Sequence, residues 1–89
     1  MTKAEQLTNY YNNVLKVNIL NEELVKLELR LEDTNAQLDK AESINDDVLV
    51  EVLSATYNVL NEQRIDLALE KNRIEKELLE FERAASKAE

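Results

Sequence analysis

The chain of 89 residues contains no glycine, no proline, no cysteine and no histidine. Each absence removes a class of structure or chemistry. Without Gly and Pro the strongest turn signals are missing, so any sharp reversal must fall to Asn, Asp and Ser. A Gly-rich phosphate-cradling loop and a dinucleotide fingerprint are excluded for the same reason. Without Cys no disulfide can form, which fits a reducing compartment. Thiolate catalysis and His/Cys zinc sites are also out. Without His, the side chain that most readily moves protons near neutral pH is gone. The serines, Ser43, Ser54 and Ser86, have no recognisable base nearby in sequence. The expectation is therefore a protein that is not an enzyme, with no catalytic residue, no metal site and no cofactor.

Aromatic residues are scarce. Three Tyr and one Phe exclude a large aromatic core. Long apolar runs are also missing. The most apolar stretch, Val48–Leu53, reads "VLVEVL" and carries Glu51, so it is too short and too polar to span a bilayer. The first residues, "MTKAEQLTNYY", lack the basic region and apolar run of a signal peptide. A soluble, cytoplasmic protein is the expectation.

Positive charge is in short supply. Lys and Arg total 11 against 19 Asp and Glu, a formal net charge of −8. Phosphate neutralisation needs clustered Lys and Arg, so no direct nucleic-acid partner is expected. An anionic membrane surface is disfavoured likewise. A protein partner of basic character is electrostatically easier.

What is present is a seven-residue apolar period. Thr2 followed by Glu5 has the spacing of a helix-capping box. Tyr10, Val17, Leu24, Leu31 and Leu38 then form one row, with Asn13, Leu20, Leu27, Thr34 and Ala41 as its companion. In the second half Leu53, Leu60, Leu67, Ile74, Phe81 and Ala88 are seven apart, alongside Val50, Tyr57, Arg64, Lys71, Leu78 and Ala85. A period of ~3.5 sustained over this length predicts coiled-coil helices.

The two halves are out of phase, so the helix must break between them. "AESINDD", Ala41–Asp47, is the natural place, because Ser, Asn and Asp compete for helical hydrogen bonds and make good caps. Asn45 tolerates the left-handed backbone that Gly would otherwise supply. The fold class expected is all-α: a long antiparallel helical hairpin with coiled-coil packing, assembling into an oligomeric helical bundle. It is one domain over 1–89, with arm 1 about 3–42, a turn about 43–46 and arm 2 about 47–87. Alternative breaks fall near Asn12–Asn13 and at Glu32–Asn35. The valines at 48, 50 and 52 alternate as in a strand, but a lone strand has no partner.

Both arms carry a near-repeat. "NILNEELVKLEL" at Asn18–Leu29 returns as "NVLNEQRIDLAL" at Asn58–Leu69. A fold at 43–45 sets residue i opposite 88 − i, which brings the two copies face to face. Each also carries apolar residues outside the heptad rows. Ile19, Val25, Leu29, Val52, Val59, Ile65 and Leu69 are the candidate oligomer interface, with Tyr11, Leu15, Val48 and Ala55 extending the stripe. Arg64 and Lys71, at seam-like positions, are read as stems covering apolar surface, with Glu23 and Glu28 as partners for Arg64. Lys71–Glu75, Arg73–Glu77 and Lys76–Glu80 have the spacing of helical ion pairs.

Charge is unevenly placed. Glu32 to Glu51 holds seven acidic residues and one Lys, a net of −6 out of −8. Asp39, Glu42, Asp46, Asp47 and Glu51 are candidate partner-binding acids; they also suit the N-terminus of arm 2. Their spacing is not that of a Ca²⁺ loop. The leading functional expectation is a non-enzymatic, self-associating coiled-coil protein acting through protein–protein interaction, as an adaptor, scaffold or assembly factor. One alternative is an acidic inhibitor or decoy, of the kind viruses encode, that blocks a basic macromolecular or ligand site. Another is a small helical chaperone.

Overall fold

The computed structural model describes residues 2–87. The chain is a hairpin of two helices that pack against each other, α1 (Lys3–Ser43) and α2 (Asp47–Lys87). No strand occurs among the described residues, and Val48, Val50 and Val52 lie on α2. The molecule measures 65 × 18 × 15 Å, one pair of helices wide.

Local chemistry sets the ends. Thr2 caps α1, its hydroxyl accepting from the Glu5 amide at 3.2 Å. α1 then runs unbroken through Asn12–Asn13 and through Glu32–Asn35, so neither alternative break occurs. Asn13 and Thr34 at those sites belong to the heptad rows, and packing along the seam outweighs the weak helix propensity of these stretches.

The reversal takes three residues, Ile44, Asn45 and Asp46. Asn45 has φ 56°, the left-handed conformation in which Asn stands in for the absent Gly. The Asp46 amide donates to the Ala41 carbonyl at 3.0 Å and the Asn45 amide to the Glu42 carbonyl at 3.1 Å. These two bonds close α1 as a Schellman motif. Asp46 also starts α2: its carboxylate accepts from the Leu49 amide at 3.1 Å. One residue thus ends one helix and caps the next.

The core is the line between the helices. Its buried apolar side chains are Leu20, Leu27, Leu31, Ala41, Leu53 and Ile74. The other heptad positions are half-buried, except buried Thr34 and exposed Ala85; Ala88 lies outside the described residues. The Thr34 hydroxyl donates to the Arg30 carbonyl at 2.8 Å, so this buried polar group is satisfied within its own helix.

The register differs from the expected one. Tyr10 stacks on Phe81, whereas a fold at 43–45 would place it opposite residue 78. α1 continues to Ser43 and the turn is centred on Asn45, which slides α2 along α1. The two copies of the repeat consequently overlap with a stagger rather than in register.

Candidate functional site

Two surfaces remain once the seam is formed. The first is apolar. Ile19, Val25, Leu29, Val52, Val59, Ile65 and Leu69 are all exposed, between 46% and 63%. Tyr11, Leu15 and Val48 are exposed with them, as is Ala55. With the seam at heptad positions a and d, these side chains fall at b, c and f, on the sides of the helices turned away from the seam. They therefore form two strips on opposite edges of the hairpin, one per helix, instead of the single shared stripe expected from sequence. The reason is geometric: residues outside the seam of two paired helices point away from the partner helix, so facing repeats cannot merge their outer residues. Leu7, Ile44, Leu49 and Leu79 are also exposed and had no place in the sequence reading. Their only signal was that they break the heptad rows.

The second surface is the acidic tip. Asp39, Glu42, Asp47 and Glu51 are exposed and Asp46 is half-buried. Asp46 is occupied in capping α2, and Asp47 lies in the first turn of that helix, where negative charge is favourable. Among the described residues, no group of three or more carboxylates is placed to hold a metal ion.

The chain matches no protein-family model, no curated protein and no solved structure.

Arg64 departs from expectation. Its guanidinium donates to the Asn61 side chain at 2.8 Å, on its own helix, rather than to Glu23 or Glu28. It lines an open groove with Glu28, Glu32, Asn35 and Tyr57, where its carboxylate neighbours reach water and need no direct pair. Lys71, half-buried, pairs with Glu75 at 3.5 Å, and Arg73 with Glu77 at 3.0 Å. No ion pair joins Lys76 to Glu80 among the described residues. Such surface pairs stabilise a helix by a few tenths of a kcal/mol at most.

The open end of the hairpin is held by aromatic contacts. The Tyr10 hydroxyl donates to Glu82 at 2.9 Å. This hydrogen bond to the carboxylate raises the phenol above its ordinary value of 10.0; desolvation, the Glu82 charge and Tyr11 act in the same direction. Tyr11 meets Tyr10 edge-on at 5.7 Å and turns its own ring to the outer edge. No helix is long and apolar enough to cross a membrane among the described residues.

Proposed function

We propose that this chain is a non-enzymatic, self-associating helical hairpin that acts through protein–protein contacts, as an adaptor, scaffold or assembly factor. Within one copy, the heptad spacing of the buried positions supports coiled-coil packing. The observation that carries the functional reading is an imbalance of apolar surface. Among the described residues, six apolar side chains are buried while fourteen large ones are exposed. A two-helix core this thin gains little from burial, and small domains without disulfides or metals are usually completed by oligomerisation. The exposed residues recur along each helix edge, as an interface requires and as scattered surface apolar residues do not.

Light scattering on the purified chain at micromolar concentration tests this reading. A mass above that of one chain is expected, and a strictly monomeric species removes it.

The acidic tip favours a second reading, an inhibitor or decoy that occupies a basic site. It rests on the −6 charge between Glu32 and Glu51. Reversing Asp39, Glu42 and Asp47 would then abolish capture of the target without unfolding the hairpin, leaving the Asp46 cap intact. A chaperone reading makes the same apolar strips a seat for a client's amphipathic helix. Val25→Asp or Val52→Asp that lost client capture while leaving the oligomer whole would favour it over self-association.

A further inference from the structure

We draw no further inference here: the strongest candidate, the exposed apolar strip along the outer edge of α2 from Val48 to Leu69, carries nothing beyond the self-association already proposed, because nothing in the structure shows which surface covers it.

Discussion

Tyr10 lies flat against Phe81, their ring centroids 4.9 Å apart and their planes 27° apart. These residues sit near the free ends of the two helices, farthest from the turn, and they close the hairpin there. The turn and this stack hold opposite ends of one line of packing. Between them the seam is leucine-rich and nearly periodic, so it is tolerant of sliding. The stack supplies what the leucines lack: a large, shaped contact that is satisfied in one register.

Phe81→Ala removes that contact and should destabilise the hairpin by about 2 kcal/mol, less than a fully buried Phe because the site is half-buried. The loss should be local. Hydrogen exchange is expected to accelerate in the first turns of α1 and the last turns of α2, while amides around Leu27 and Leu31 keep their protection. Uniform acceleration along both helices would show that the stack does not act as an end clamp.

Tyr10→Phe keeps the stack and removes the hydrogen bond to Glu82. The folded-state pKa of Tyr10 is raised, so the folded chain holds this proton more tightly than the unfolded one. The associated stability is fully present below the ordinary phenol pKa and is lost as pH rises through the raised one. Denaturant titrations of the natural chain should therefore show stability falling above about pH 10. The fall should be smaller in Tyr10→Phe, and equal falls in the two chains would remove the bond's contribution.

The turn makes a separable prediction. Asn45→Gly should maintain or raise the melting temperature, because Gly adopts positive φ freely. Asn45→Val should lower stability by about 1–2 kcal/mol, the cost of a left-handed backbone for a residue with a Cβ. Asp46→Ala should cost about 1 kcal/mol through loss of the α2 cap. If Asn45→Val melted like the natural chain, the Schellman closure would not be setting the reversal.

Much of this architecture was legible in the residues. The heptad rows identified the buried line, and the phase change between them located the turn within a residue or two. Asn45 was readable as the left-handed position because no Gly was available. The register was not readable, since it depends on where α1 ends, and a shift of one residue in the turn moves every facing pair. The direction of the outer apolar residues was also missed. Reading Asn18–Leu29 and Asn58–Leu69 as facing copies suggested one shared stripe. In three dimensions residues outside a seam diverge, and the copies carry separate strips. Arg64 went to Asn61 rather than across the seam because a neighbour one turn back on the same helix is already within reach.

Core and edge should respond differently to substitution. Ile74, 2% exposed, is the most enclosed large side chain of the seam. Ile74→Ala should cost about 3 kcal/mol in an interior that relaxes only partly around the void. Leu29→Gln, on the outer strip of α1, should leave the unfolding of a single hairpin within about 0.5 kcal/mol. Chemical denaturation of both variants checks this ordering. The reverse ordering would mean that the seam assignment is wrong.

The central claim is that the exposed apolar strips are covered by another copy of this chain. Sedimentation equilibrium of the natural chain beside a Val52→Asp, Ile65→Asp double variant tests it most directly, with circular dichroism to verify that both are helical. The account predicts a mass of at least twice 10.3 kDa for the natural chain and 10.3 kDa for the variant. Equal masses for two helical proteins, whether both monomeric or both associated, would contradict it.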